Sequence, residues 1–129
     1  MNRAVLLVSH GELANAMKES VELIIGNQPN VYALPMNEQA TLSSYSVELE
    51  KVVKDLLRVY DELILLADIK GGTPCNASAF LLLKYEQIKL IAGFNLGLVI
   101  EACITPLSLM ELVKNATNSI EIVNVTIRD

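Results

Sequence analysis

Apolar and polar positions along this chain switch between two regimes. Ala4-Val5-Leu6-Leu7-Val8 is an unbroken apolar run, too short for a helix and suited to a parallel strand buried on both faces. From Leu13 the period changes, with Leu13, Met17, Val21 and Ile24 at helical spacing and Lys18, Glu19 and Glu22 on the other side. Gly26 then ends the helix and Asn27-Gln28-Pro29-Asn30 forms a loop. Val31 to Leu34 reads as a second strand ending at Pro35, followed by a long amphipathic helix from about Ala40 to Val59 with Leu42, Tyr45, Leu49, Val52, Val53, Leu56 and Tyr60 on one face. Glu62 to Ala67 is a third apolar strand. Thr73 as N-cap and Pro74 in the first turn predict a helix from about Pro74 to Lys84. Lys89 to Ala92 makes a fourth strand, and Leu98 to Ile104 a short helix. Thr105-Pro106 repeats the cap-then-proline start for a helix to about Ala116, and Ser119 to Ile127, rich in Ile and Val, reads as a last strand whose alternation slips between Ile122 and Val123.

Strands alternating with helices predict an α/β fold with a doubly wound, mainly parallel sheet and helices on both faces. Right-handed crossovers and the order 2-1-3-4 set strands one and three side by side, so the residues at their carboxyl ends become neighbours. Those residues are His10 and Asp68. A length of 129 residues fits one domain, residues 1–129.

Composition narrows the function classes. A net charge of −5 and no basic cluster argue against nucleic-acid binding. Hydrophobic residues reach 52%, enough to suggest that some apolar surface is buried against another subunit. Asp68, Asn95 and Glu101 interrupt the most apolar regions, so no run approaches a membrane span, and the N-terminal run is too short for a signal peptide. A cytoplasmic location is expected. Cys75 and Cys103 fall in predicted helices without metal-ligand or redox spacing; neither a metal nor a cofactor is expected.

His10 is the single histidine and lies in the turn from the first strand to the first helix. The unpaired N–H groups at a helix start favour a neutral, nucleophilic ring and attract an anion such as a phosphoryl group. An aspartate beside it can accept the Nδ1–H and leave the Nε2 lone pair free. Gly71 and Gly72 let the backbone approach an anion, and the Thr73 hydroxyl can donate to it. Each feature alone has a plainer reading as a turn or cap; together, at one sheet edge, they make a site.

Three motifs carry a family resemblance over essentially the whole chain: Val8-Ser9-His10-Gly11, Asp68-Ile69-Lys70-Gly71-Gly72-Thr73-Pro74-Cys75-Asn76-Ala77, and Ile91-Ala92-Gly93-Phe94-Asn95 followed by Glu101. The sequence resembles the mannose-type enzyme IIA domain of the sugar phosphotransferase system (PTS). The resemblance implies that His10 accepts a phosphoryl group on Nε2 from phospho-HPr and passes it to a histidine of enzyme IIB, serving the membrane components IIC and IID. It makes Asp68 the tautomer-holding carboxylate. Gly11, Gly71, Gly72 and Thr73 become the phosphoryl-binding group, and Ser9, Lys70 and Asn95 the rim. It also implies a homodimer in which the last strand is exchanged and pairs antiparallel. Many relatives carry serine at the Thr73 position, an aromatic residue near Lys70 and a proline near Gly97, so rim contacts differ here.

Four other readings compete. A dihydroxyacetone kinase phosphocarrier subunit shares the Ser-His start. A receiver domain phosphorylated on Asp68 needs an acidic pair where Ser9-His10-Gly11 stands. A cysteine enzyme would pair Cys75 with His10. A non-catalytic binding module would not need His10 at all.

Overall fold

The computed structural model describes residues 2–128. Its centre is a four-stranded parallel sheet in the order β2-β1-β3-β4, built from β1 (Arg3–His10), β2 (Val31–Met36), β3 (Glu62–Ala67) and β4 (Ile88–Ala92). Helices α1 (Leu13–Ile25), α2 (Leu42–Leu57), α3 (Thr73–Leu81), α4 (Leu96–Ile104) and α5 (Leu109–Asn118) connect and flank it.

The apolar runs are continuous because both sheet faces are covered. Ala4, Leu6 and Val8 of β1 and Leu63, Leu65 and Ala67 of β3 pack against Tyr45, Leu49 and Val53 of α2 and against α3. The alternate residues Val5, Leu7, Ile64 and Leu66 face Val21 of α1 and Leu98, Val99 and Leu112 of α4 and α5. Every strand residue named here is fully buried. Truncating one, as in Leu65→Ala, costs about 2–5 kcal/mol.

The register fixes the sheet's carboxyl edge. Val8 pairs with Ala67, and the Asp68 N–H donates to the Val8 carbonyl at 3.1 Å. At the opposite end the buried Arg3 donates to Glu62 Oε1 at 2.6 Å and to the carbonyls of Thr105 and Leu107 at 3.0 and 2.9 Å. The guanidinium thus ties the α4–α5 connection to the sheet.

Several expectations are corrected. The buried side of α1 is Ala14 and Val21, with Met17 and Ile25 packed beside them, whereas Leu13 and Ile24 are exposed. Helix α2 starts after Thr41, whose hydroxyl and backbone form a reciprocal cap with Ser44. Thr73 is the first residue of α3 and not its cap; Gly72 holds that position. Asn95 caps α4 through Leu98 N–H at 2.9 Å, which starts that helix at Leu96. Thr105 ends α4 instead of opening α5: Pro106 keeps it extended, and its hydroxyl turns back to the Glu101 carbonyl at 2.6 Å. Ser108 caps α5, with Glu111 three residues on.

The tail is the largest difference. Val123–Arg128 forms a short helix, α6, and not a strand. Within the single chain the tail pairs with neither outer strand, and its backbone bonds within a helical turn instead. Ile120, Ile122, Val123, Val125 and Ile127 remain exposed.

Candidate functional site

His10 is the last residue of β1. The preceding strand residues are buried, but the His10 side chain is 46% exposed. Gly11 makes the turn that follows, at φ 55, where a residue with a Cβ is strained. Its N–H donates to the Met36 carbonyl at 2.8 Å. That bond occupies the one backbone donor of Gly11.

Ser9 is not at the rim. It is fully buried, its Oγ accepts from the Ala14 N–H at 2.7 Å, and it donates to the Gly11 carbonyl at 3.3 Å. It therefore caps α1 from inside the turn, a position from which Glu12 makes no side-chain cap.

Strand β3 delivers Asp68 beside His10. Asp68 Oδ2 accepts the His10 backbone N–H at 3.0 Å and lies 2.9 Å from ring Nδ1, while Oδ1 accepts the Ile69 N–H at 3.0 Å. A carboxylate held by three donors and only 11% exposed on its side chain is fixed in direction. Facing an acceptor, Nδ1 is the nitrogen suited to donate, and in a neutral ring that leaves the lone pair on Nε2.

The 71–73 loop completes the surroundings. Gly71 turns the chain at φ 86. Gly72 lies so close to the imidazole that a Cβ built on it would stand 2.5 Å from His10 Cε1 and 3.0 Å from Nε2. The loop thus borders the free nitrogen, and the partly exposed Thr73 follows at the start of α3. Lys70 is exposed and makes no ion pair among the described residues. The Asn95 amide is occupied elsewhere, capping α4 and donating to the Ala116 carbonyl at 3.3 Å, and so joins α4 to α5. Cys75 is buried in the core.

Comparison with known proteins gives this arrangement a lineage. Residues 4–118 match the family model described as "PTS system fructose IIA component". The chain belongs to the mannose-type enzyme IIA family. Among curated members, it is 31% identical over 98 residues to the fructose-specific EIIA component of Bacillus subtilis, a match covering 76% of this chain and 66% of that protein. It is 30% identical over 100 residues to the sorbose-specific EIIA component of Lacticaseibacillus casei, covering 78% and 71%. The chain thus spans about two thirds of the length of these enzyme IIA relatives. Among solved enzyme IIA structures, a PTS IIA protein associated with the fucose utilization operon of Streptococcus pneumoniae superposes with a TM-score of 0.89 at 27% identity, covering 98% of this chain and 97% of that one. Among the described residues no helix is long and apolar enough to cross a membrane.

Two features of the site escaped the sequence reading. One is the double attachment of His10 to Asp68, which depends on register. The other is Asn76, whose side chain donates to the Gly71 carbonyl at 3.1 Å; a Gly-Gly pair followed by an Asn in the next helix turn is too common a pattern to single out.

Proposed function

We propose that this chain is a cytoplasmic phosphocarrier: His10 Nε2 accepts a phosphoryl group from phospho-HPr and hands it to a histidine of enzyme IIB, for sugar uptake through IIC and IID. The observation that carries this reading is the 2.9 Å contact of Nδ1 with Asp68, which leaves Nε2 as the nucleophile beside the glycine loop. In the step, the Nε2 lone pair forms the new N–P bond as the donor's N–P bond breaks and that electron pair returns to the donor's nitrogen. The His10 ring keeps its Nδ1 proton and becomes formally cationic, and Asp68 opposes that charge. Gly71, Gly72 and Thr73 supply donors for the phosphoryl oxygens. Transfer between two histidines asks for positioning and charge stabilisation, which these residues are placed to give.

The partly exposed ring supports docking of both partners on the same surface, in turn. The family membership and the exposed apolar tail support a homodimer in which the tail of one copy covers the open edge of β4 in the other. There, a groove of about 450 Å³ is lined by Leu90, Ile91, Leu109, Met110, Val113 and Lys114.

Phosphorylation with phosphoenolpyruvate, enzyme I and HPr, followed by intact-mass analysis of wild type and His10→Ala, tests the reading. One acid-labile, base-stable phosphoryl group, absent from the variant, is the expected result. An adduct that survives in the variant and is lost in base would move the chemistry to Asp68. No adduct from phospho-HPr would redirect the search to a dihydroxyacetone kinase system.

A further inference from the structure

The residue that gives the glycine loop its direction lies outside it. Asn76, in the first turns of α3, holds two successive carbonyls of the loop: its backbone N–H donates to Gly72 O at 2.9 Å and its side-chain Nδ2 to Gly71 O at 3.1 Å. A carbonyl only accepts, so the amide nitrogen is the atom that faces it.

A trans peptide unit is planar, with its C=O and the following N–H pointing in opposite directions. Turning the Gly71 and Gly72 carbonyls toward Asn76 therefore aims the Gly72 and Thr73 N–H groups away from it. The same Gly72 borders His10 at Cε1 and Nε2. The backbone bond to Gly72 O is ordinary helix geometry, available to any residue at position 76. The side-chain bond is particular to this one.

It falls where the backbone is least constrained. The 71–72 unit joins two glycines, the first at φ 86, so little steric resistance opposes rotation of that peptide plane. A flipped plane would present a carbonyl oxygen where an anion needs a donor.

We infer that Asn76 is a positioning residue for phosphoryl transfer, pinning the Gly71–Gly72 peptide so that the Gly72 N–H is presented to the phosphoryl group on His10 Nε2. The inference rests on the carrier role proposed above. Asn76 touches neither the ring nor the phosphoryl group; it acts through the peptide it holds. Removing it releases one backbone donor and leaves the Asp68 contact intact.

Single-turnover transfer from phospho-HPr, steady-state kinetics and ¹H–¹⁵N spectra before and after phosphorylation test this in wild type, Asn76→Ala and Asn76→Asp. The aspartate has the same shape but its ionised carboxylate cannot donate, and it keeps the variant set informative if the alanine folds poorly. Transfer is expected to fall about 10- to 100-fold in both, in kcat and not in KM for phospho-HPr, below the roughly 10²–10³-fold cost of deleting one oriented oxyanion donor outright, because the donor is loosened and not removed. The downfield shift of the Gly72 amide on phosphorylation should shrink while the melting temperature stays close to wild type. Wild-type rates with a wild-type Gly72 shift would overturn the inference, as would a rise in KM alone, which would make Asn76 a docking residue. A wild type that takes no phosphoryl group fails the carrier reading itself, whereas failure of the inference appears only in the variants.

Discussion

Asp68 grips His10 twice with one oxygen: Oδ2 receives both the backbone N–H at 3.0 Å and ring Nδ1 at 2.9 Å. The first bond fixes where the residue begins and the second fixes where its ring ends, so rotation about the side chain is limited by a single acceptor. Asp68→Asn keeps the shape but offers only one acceptor oxygen to these donors, and its amide NH₂ competes for the same space. Loss of the tautomer should slow phosphoryl transfer by roughly 10²–10⁴-fold, the range for such an orienting carboxylate. Rapid-quench transfer from phospho-HPr measures the loss, and ¹⁵N spectra of the ring report the tautomer directly.

Gly72→Ala isolates the packing of the ring. Gly72 has φ −82 and ψ 168, which any residue adopts, so the backbone is not strained by the change. The new methyl instead meets His10 Cε1 at 2.5 Å and forces the ring to move. A displacement on the order of 1 Å from a productive geometry costs about 10²-fold in rate. Transfer should drop on that scale with little change in thermal stability, and a variant with unaltered rate would show that the ring has room to spare.

Ser9→Ala should affect stability first. It strips the buried Ala14 N–H of its acceptor, and a buried donor left unpaired costs about 1–3 kcal/mol. Urea titration followed by circular dichroism reads the change; a midpoint equal to wild type would mean that water replaces the hydroxyl.

The pH dependence of stability has a defined sign at both ends. Burial pushes the Glu62 carboxyl up, but hydrogen bonds and charge from Arg3 and Lys89 outweigh it and hold the group below the ordinary glutamate range. Glu50 is likewise lowered, by hydrogen bonds from Tyr85 and Lys84. The native state thus gives up these protons more readily than the unfolded chain. Their stabilisation is present above the ordinary glutamate value of about 4.3 and is lost as pH falls through the lower native value. Glu62→Gln should flatten the acid limb of a urea-midpoint profile. At the alkaline end, the hydrogen bond with Tyr60, with burial, pushes Tyr32 up to about 12, so its contribution holds below the ordinary value of 10.0 and fades as pH rises toward about 12. Tyr32→Phe should remove that fading.

The sheet was readable because its strands are short apolar runs bounded by polar or turn-forming residues, and all four strands were placed within two residues at either end. His10 and Asp68 were readable because strand order brings their ends together. What periodicity missed were matters of register and hydrogen bonding. Leu13 and Ile24 fit the helical period of α1, yet Ala14 and Val21 face the sheet, a rotation that only packing decides. Thr105-Pro106 imitated a helix start, although Ser108-Leu109-Met110-Glu111 was the truer signature. Ser9 and Asn95 were expected at the rim from their place at the strand ends, but hydrogen bonds commit both to holding helices. In the tail the Ile and Val pattern reads as a strand, whereas the single chain is helical over Val123–Arg128.

Arg3 bears on how the chain is made. It is synthesised well before its partners, which lie 59, 102 and 104 positions downstream. Strand β1 is interior to the sheet, so it also waits for β3 before both its sides are paired. Strand β1 is thus made before the elements that cover its two faces, and until α2 and α3 on one side and α4 and α5 on the other have followed, Ala4 to Val8 is not fully covered. A nascent chain stalled before Thr105 would lack two of the three Arg3 partners and leave the Val5 and Leu7 face without Leu112 of α5.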